Sequence, residues 1–222
     1  MWQPNGCIFV GIVCSIALCA AAGFTHEGHR SFLRVHNKLR SDVAMGRYVA
    51  KGGVKKPPAT NMKMLLWNSS LADSAQKYAE TCPKEHSEID NIGESLFWIG
   101  GEKLSEDYNQ YAKMASDVWK EEFQKFDWST NNLTATLFKS GVGHATQMVW
   151  ADTDRIGCGA KLCGRKSPKI AVVCHYYPAG NTLSRLIYDE GKTCSSCPTG
   201  TTCNQHLGLC APPGGFRRVV RG

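Results

Sequence analysis

The chain has 222 residues, of which 26 are Lys or Arg and 19 are Asp or Glu, so its formal net charge is +7 at pH 7. The charges are mixed in sign except at Lys51–Lys56 and near the C-terminal end, and no nucleic-acid-binding motif accompanies them. This pattern excludes nucleic acid as an expected partner and favours only a weak attraction to anionic surfaces. The length allows one sizeable domain with a short appendage.

The first 25 residues carry no charged side chain, and Ile8–Ala22 is apolar except for Ser15. An apolar run that closes on small residues is typical of a secretory signal peptide, although the usual positive residues before it are missing. A membrane anchor is the alternative, but the run is short for a bilayer span, which needs about 20 apolar residues. We therefore predict a signal peptide at 1–23, no transmembrane anchor after its cleavage, and a secreted, extracellular protein.

The chain has 11 cysteines, and eight remain after the three within the predicted signal peptide are removed. An even number in a secreted chain predicts disulfide bonds, whose pairing the spacing alone leaves open. The spacing Cys194-x2-Cys197, followed by Cys203 and Cys210, would also suit zinc, but an oxidising compartment favours disulfides. Two sequons predict N-linked glycans on Asn68 and Asn132, which agrees with secretion.

Apolar residues at helical spacing predict two N-terminal helices. The first runs from about Gly28 to Gly46 and is expected to be amphipathic, with its polar residues on an outer face. The second is expected to be capped by Ser69 or Ser70 and to end at Pro83, which removes an amide donor. His86 follows just after this end, four residues from a cysteine that is expected to hold it in place.

A third helix is predicted to start at Ser105-Glu106-Asp107, where acidic residues favour a helix N-terminus. Its apolar stripe consists of Tyr111, Ala115, Val118 and Trp119 and continues to Glu122. A carboxylate on a buried stripe needs a partner, so Glu122 is a candidate site residue, whereas Glu121 faces solvent. The argument fails if the helix ends one turn early.

Three strands are predicted, over Ile92–Ile99, Arg155–Cys163 and Ile170–Tyr177. Glu94 stands at the mouth of the first strand, where an ordinary exposed carboxylate is the alternative. Helices on both sides of a short antiparallel sheet give an α+β fold, a three-layer α-β-α sandwich. We place this domain at 24–190, a hinge-like cysteine-rich extension stapled by disulfides at 191–210, and a basic flexible tail at 211–222.

The segment Gly143–Trp150 places His144 at the head of a short apolar run. A lone histidine is more often structural than functional, so the prediction depends on its partners. Two neutral imidazoles, His86 and His144, can ligate a divalent metal such as zinc. Two carboxylates, Glu94 and Glu122, can orient these imidazoles by hydrogen bonds to the ring nitrogens that do not bind the metal. The spacing alone does not show that the four residues converge.

The chain resembles the CAP superfamily of cysteine-rich secretory proteins, antigen 5 and pathogenesis-related proteins, and in particular the nematode activation-associated secreted, or venom-allergen-like, proteins. The resemblance extends over about residues 29 to 190. The motifs that carry it are His36-Asn37-x-x-Arg40, Pro58-Ala59-x-Asn61-Met62, Cys82-Pro83 with His86-Ser87, Gly93-Glu94-x-Leu96, Trp119-x-x-Glu122, Gly143-His144-x-Thr146-Gln147-Met148-Val149-Trp150, Gly157-Cys158 and Cys174-x-Tyr176-x-Pro178-x-Gly180-Asn181.

The resemblance implies the α-β-α CAP fold with a central cleft that holds a tetrad, His86, Glu94, Glu122 and His144. In relatives the two histidines bind zinc or another divalent ion. The disulfides that the resemblance implies are Cys82–Cys163, Cys158–Cys174, Cys194–Cys203 and Cys197–Cys210.

Two residues beside the tetrad depart from the family pattern. Ser95 stands where relatives usually have an asparagine, and Ala145 stands where they usually have an aromatic residue. We therefore expect a difference in cleft shape and metal affinity, while the tetrad itself is intact.

The resemblance implies a binding or effector function, because relatives bind sterols and fatty acids, and parasite members act as secreted, allergen-like immunomodulators. The expected partners are a lipid or sterol ligand and host proteins. The alternative is a hydrolase, metal-dependent or serine-type, that uses the same tetrad. We favour binding, since the chain has no Gly-x-Ser-x-Gly motif and Ser87, next to His86, is a weak candidate nucleophile. The cysteine-rich extension is too short for a channel-regulatory domain.

Overall fold

The computed structural model describes residues 23–214. The predicted signal peptide, apart from Gly23, and residues 215–222 of the predicted tail lie outside the described residues. The helices are α1 (His26–Ala44), α2 (Ser69–Glu80), α3 (Asn109–Lys120), α4 (Glu122–Lys125), α5 (Ala135–Leu137) and α6 (Gly143–Met148). The strands are β1 (Val49–Ala50), β2 (Val54–Lys55), β3 (Leu66–Trp67), β4 (Gly93–Gly100), β5 (Arg155–Cys163), β6 (Lys169–Tyr177), β7 (Thr202–Asn204) and β8 (Leu209–Ala211).

The central sheet has four strands in the order β3-β5-β6-β4. Strand β3 pairs with β5 in parallel, and the other two pairings are antiparallel. The three long strands lie within a residue of their predicted bounds. The small pairs β1-β2 and β7-β8 lie outside this sheet.

The two faces of the sheet are covered by different helices. Successive side chains of a strand point to opposite faces, and on β6 one set joins the main core with α1, α3 and α6. On the other face Val173 packs against Ala75 and Ala79 of α2. The structure therefore confirms the three-layer α-β-α sandwich.

Helix α1 differs from the prediction of a polar outer face, because three of its polar side chains point inwards. His36 and Arg40 are fully buried, and Asn37 is nearly so. Asn37 exchanges two hydrogen bonds of 2.9 Å with the backbone of Leu65. His36 bonds to Phe32 O at 2.8 Å through Nδ1 and to the Tyr176 hydroxyl at 3.0 Å through Nε2. Each buried polar group thus has the partner that burial requires.

The Arg40 guanidinium joins two distant loops. It donates to the carbonyl of Lys63 and to four carbonyls at the end of α6 and in the segment after it, at 2.7–3.2 Å. The four are those of Met148, Trp150, Ala151 and Thr153. The planar, multi-donor guanidinium suits this task better than an ammonium group would.

Helix α2 starts earlier than predicted. Its N-cap is Asn68, whose side chain accepts a hydrogen bond from Leu71 N at 2.9 Å, rather than Ser69 or Ser70. The same Asn68 is a predicted glycosylation site and is half-buried, whereas Asn132 is exposed. Glycans at the two positions stay a prediction.

Residues 23–214 contain four disulfide bonds, and they are the four pairs that the resemblance implies: Cys82–Cys163, Cys158–Cys174, Cys194–Cys203 and Cys197–Cys210. The cysteine-rich extension packs against the rest of the protein. Leu209 and Ala211 of β8 belong to the main core, and Cys210 exchanges backbone hydrogen bonds with Met62 and Met64. The extension therefore packs against the larger domain, while residues 189–192 are exposed, and the domain boundary near 190 stays a prediction.

Within residues 23–214, no helix is both long enough and apolar enough to cross a membrane.

Candidate metal-binding site

The first His–carboxylate pair joins His86 to Glu94. His86 lies in the loop after α2, and Glu94 is the second residue of β4. The His86 Nδ1 lies 2.8 Å from Glu94 Oε1. The imidazole is 60% exposed, whereas the carboxylate is only 4% exposed. Glu94 is therefore a buried strand residue rather than an exposed turn carboxylate.

Glu94 has three further hydrogen bonds. Ser87 donates its backbone N–H to Oε1 at 2.9 Å and its hydroxyl to Oε2 at 2.6 Å. The Nε2 of His175, the cross-strand partner of Glu94 on β6, lies 2.9 Å from Oε2. Burial would raise the pKa of Glu94, but the bonds from His175, His86 and Ser87 outweigh it and hold this pKa far below its usual range. The bond to Glu94 raises the pKa of His86.

The second pair joins Glu122 to His144. Helix α3 ends at Lys120, and Glu122 opens the short helix α4, so it does not continue the α3 stripe as predicted. Val118, also placed on that stripe, is 44% exposed. The chain redirects at Glu121, and the Glu122 side chain is nonetheless only 13% exposed. The register predicted for Glu122 is therefore wrong, and its low exposure arises from its place at the start of α4.

Glu122 holds the start of α6 with both oxygens. Its Oε1 lies 2.5 Å from His144 Nδ1, and its Oε2 accepts the backbone N–H of Ala145 at 2.9 Å. The His144 ring is 32% exposed and stacks on Trp119, with centroids 5.8 Å apart and planes 15° apart. A carboxylate at a helix N-terminus also complements the helix dipole.

The two pairs lie next to the same end of β4. Gly93 precedes Glu94, and Gln147 lies three residues after His144. The two are so close that a Cβ at Gly93 would lie 2.1 Å from Gln147 Oε1. The tetrad nevertheless forms two pairs rather than a closed cluster. Within residues 23–214, the one group of three or more potential ligands whose ligand atoms lie within 4.8 Å is Cys194, Cys197 and Cys210. Those sulfurs are in disulfides and cannot act as thiolate ligands.

The two residues that depart from the family pattern do not line the surface near the tetrad. Ser95 and Ala145 are both fully buried, and Ala145 packs in the main core. They can change the shape of the site only indirectly, by the packing beneath it.

Sequence reasoning missed His175 as a site residue. It lies on β6 two residues after Val173, so the alternation of the strand places both on the α2 face. That alternation is visible in the sequence, but the register that puts His175 opposite Glu94 is not. The hydroxyl of Ser74 on α2 lies 3.2 Å from the Nδ1 of the same histidine.

The residues present fit a divalent metal. Both imidazoles of the tetrad use Nδ1 to bond a carboxylate, so each carries its proton there and keeps the Nε2 lone pair for a ligand. In the described part of the chain, nothing hydrogen-bonds to either Nε2. Zinc accepts imidazole nitrogen in this way, and with two protein ligands its remaining positions would be open.

A family model confirms the resemblance. The model of the cysteine-rich secretory protein family, CAP, matches residues 33–176, which is more than half of the chain. The chain belongs to the CAP family. The match includes the whole tetrad and all strands of the central sheet, so the CAP fold is the fold described above.

The CAP relatives include proteins from several animal groups. The chain is 33% identical to Ancylostoma secreted protein of Ancylostoma caninum over 86% of this chain and 46% of the relative. It is 35% identical to Peptidase inhibitor 16 of Bos taurus over 86% of this chain and 38% of the relative, and 32% identical to Scoloptoxin SSD43 of Scolopendra dehaani over 85% and 86%. The chain thus spans less than half the length of the first two.

Two solved structures are similar over nearly their whole length. NaASP2, solved with Zn²⁺, is 34% identical with a TM-score of 0.77, and the match covers 86% of this chain and 99% of that one. BmVAL-1 is 33% identical with a TM-score of 0.79, covering 87% and 98%. The resemblance to nematode activation-associated secreted and venom-allergen-like proteins is therefore confirmed.

Proposed function

We propose that this CAP protein is secreted and binds ligands, with a centre at which His86 Nε2 and His144 Nε2 hold zinc or another divalent ion. One observation carries the metal proposal: each imidazole is held at Nδ1 by a buried carboxylate, which leaves the outer nitrogen as a donor. The similarity to NaASP2, a protein solved with Zn²⁺, supports it. When bound, the ion would supply a positive charge to which an anionic or carbonyl-bearing ligand can bind.

Calorimetric titration of ZnCl₂ into the purified protein tests the metal proposal. We expect saturable binding that His144→Ala abolishes, because a two-histidine site loses half of its protein ligands. The matched control is His206→Ala, which removes an exposed histidine of the cysteine-rich extension and should leave binding unchanged. Equal binding by wild type and His144→Ala would exclude the site.

The role of the carboxylates is tested separately, with the two adjacent glutamates of the α3–α4 junction. Glu122→Leu should lower zinc affinity by about 10- to 100-fold, the range for an outer partner of a metal-ligating histidine. Glu121→Leu should not change it, since Glu121 makes no contact with His144 through its side chain among the described residues. The opposite order would mean that Glu122 does not orient the ligand.

A groove between α1 and α3 supports a second candidate function, fatty-acid binding. Its volume is about 560 Å³, within the range of about 300–1,000 Å³ that is usual for small-molecule sites. Val35, Leu39 and Tyr48 supply apolar lining, while Lys and Arg residues on both helices could pair with a carboxylate head group. The remaining lining residues are Arg34, Lys38, Asp42, Lys113, Asp117 and Lys120.

Two valines provide a matched test of the groove. Val35 lines it, whereas Val118 is 44% exposed and lies outside it. A fluorescent fatty acid should bind the wild type and be displaced by palmitate. Val35→Asp should abolish this binding, and Val118→Asp should not. Displacement by cholesterol but not by palmitate would assign the groove to sterols, and equal binding by both variants would place the lipid elsewhere.

A further inference from the structure

A serine, a histidine and a glutamate form a continuous hydrogen-bonded chain on the α2 face of the sheet. The Ser74 Oγ lies 3.2 Å from His175 Nδ1, and His175 Nε2 lies 2.9 Å from Glu94 Oε2. His175 is fully buried, and Ser74 is only partly buried. The chain thus runs from a carboxylate that is 4% exposed, through a buried imidazole, to the hydroxyl of a partly exposed serine.

The backbone fixes this geometry, because α2 lies unusually close to the sheet. A Cβ at Gly157 would lie 2.2 Å from the backbone N of Ala72, and one at Gly159 would lie 2.3 Å from Gln76 Cα, so any larger residue would push the helix away. The Gln76 side chain bonds to both the N–H and the C=O of Ala160. Helix α2 therefore cannot slide along β5, and Ser74 stays opposite His175 on the next strand.

The bonds also set which nitrogen carries the proton. Glu94 accepts the backbone N–H of Ser87 at Oε1 and the Ser87 hydroxyl at Oε2, so it faces His175 as an acceptor, and His175 presents Nε2–H to it. The Nδ1 atom is then the lone-pair nitrogen, and it accepts the Ser74 hydroxyl proton. This is the tautomer that a general base for serine requires, with the carboxylate placed to stabilise the imidazolium.

Ser87 does not have this arrangement. Its hydroxyl donates to Glu94 Oε2 and contacts no imidazole among residues 23–214. Ser87, which was a weak candidate nucleophile by sequence, therefore holds the Glu94 carboxylate instead.

We infer that Ser74 is a nucleophile that His175 activates as general base, and that it accepts acyl or phosphonyl groups from small activated esters. In the acyl transfer, Ser74 Oγ forms a bond to the carbonyl carbon while its proton moves to His175 Nδ1. The ester C–O bond breaks, and the leaving oxygen takes that proton. Water then hydrolyses the acyl-serine by the same route, returning the hydroxyl of Ser74. This activity needs no metal ligand, since it uses neither His86 nor His144; it shares only the Glu94 carboxylate with the metal proposal.

An alkyl fluorophosphonate tests the inference directly, in the presence of EDTA. Its reaction forms a Ser Oγ–P bond, breaks the P–F bond and releases fluoride. Peptide mass spectrometry should find the adduct on Ser74, and Ser74→Ala should remove it. Ser69→Ala, which changes an exposed serine at the start of α2 and keeps the Asn68 sequon, should label like the wild type. No adduct on the wild type, or an adduct spread over several serines, would overturn the inference.

The role of His175 has its own measurement. His175→Gln should lower the labelling rate at least about 100-fold, the lower end for loss of a general base. Circular dichroism and thermal unfolding establish that this variant is folded. An unchanged rate in the folded variant would overturn the role of the base. If the variant does not fold, the labelling rate of Ser74 in the wild type is compared with that of free N-acetylserine amide. Equal rates would overturn the role of His175 as a base.

Discussion

The two His–carboxylate pairs of the tetrad are built in opposite ways. In the first pair the carboxylate is fixed, because Glu94 is 4% exposed and receives four hydrogen bonds, while the His86 ring is 60% exposed. In the second pair the imidazole is fixed, because His144 stacks on Trp119 and lies at the start of α6. Glu122 receives only two bonds. One pair is thus positioned through its acid and the other through its ring.

The largest effect should come from exchanging the two carboxylates for amides. Glu94→Gln should lower the free energy of unfolding by about 3 kcal/mol, because the amide leaves the buried His175, together with Ser87 and the exposed His86, without a charged acceptor. Glu122→Gln should cost about 1 kcal/mol, since fewer donors depend on it. Urea unfolding of both variants in EDTA measures the difference. Equal losses would show that the two carboxylates are held alike.

A second test concerns the support behind the second pair. His36 is fully buried, and its ring packs edge-on at 6.4 Å from Trp119. Burial lowers the pKa of His36 to about 3, against about 6.5 in the unfolded chain. The unfolded chain therefore binds more protons between these values, and stability that is present above pH 6.5 is lost as the pH falls.

Chemical denaturation at several pH values measures this loss. Well below pH 6.5, His36 should contribute about 1.4 kcal/mol of lost stability per pH unit. His36→Gln should flatten the profile, although its stability at pH 7 is lower, whereas His206→Gln should keep the slope of the wild type. An identical slope in His36→Gln would assign the acid sensitivity to other groups.

The smallest effects should appear in zinc affinity. They compare the support of the His144 ring with the support of the Glu94 carboxylate. Trp119→Leu should lower the affinity about 10-fold, because His144 loses the ring on which it stacks. Ser87→Ala should lower it less than about threefold, since three other donors still hold Glu94. Calorimetry on both variants gives the ratio. A larger loss for Ser87→Ala would reverse the comparison.

The sequence was sufficient for the layers of the fold, but not for the register between elements. The alternation along β6 and the helical stripe of α2 predict their buried faces. The burial of Glu122 could not be derived correctly, because the break at Glu121 depends on tertiary contacts with α6. His36 and Arg40 look like an outer polar face by periodicity, and only the family motif marks them.

His175 and Ser74 were out of reach for a related reason. Their contact joins residues 101 positions apart, and it depends on how closely α2 approaches β5. That approach is set by Gly157 and Gly159, whose purpose cannot be inferred until the helix is known to pack there.

Arg40 has a consequence for the order in which the chain acquires its structure. Its carbonyl partners lie 23 residues away at Lys63 and 108–113 residues away, from the last residue of α6 to Thr153. Contacts of such separation form late, because closing long loops costs chain entropy before any bond is gained. We expect the segment from Met148 to Thr153 to stay unstructured until α1 has docked. The histidine at the head of α6 would then be among the last side chains to reach its place during folding.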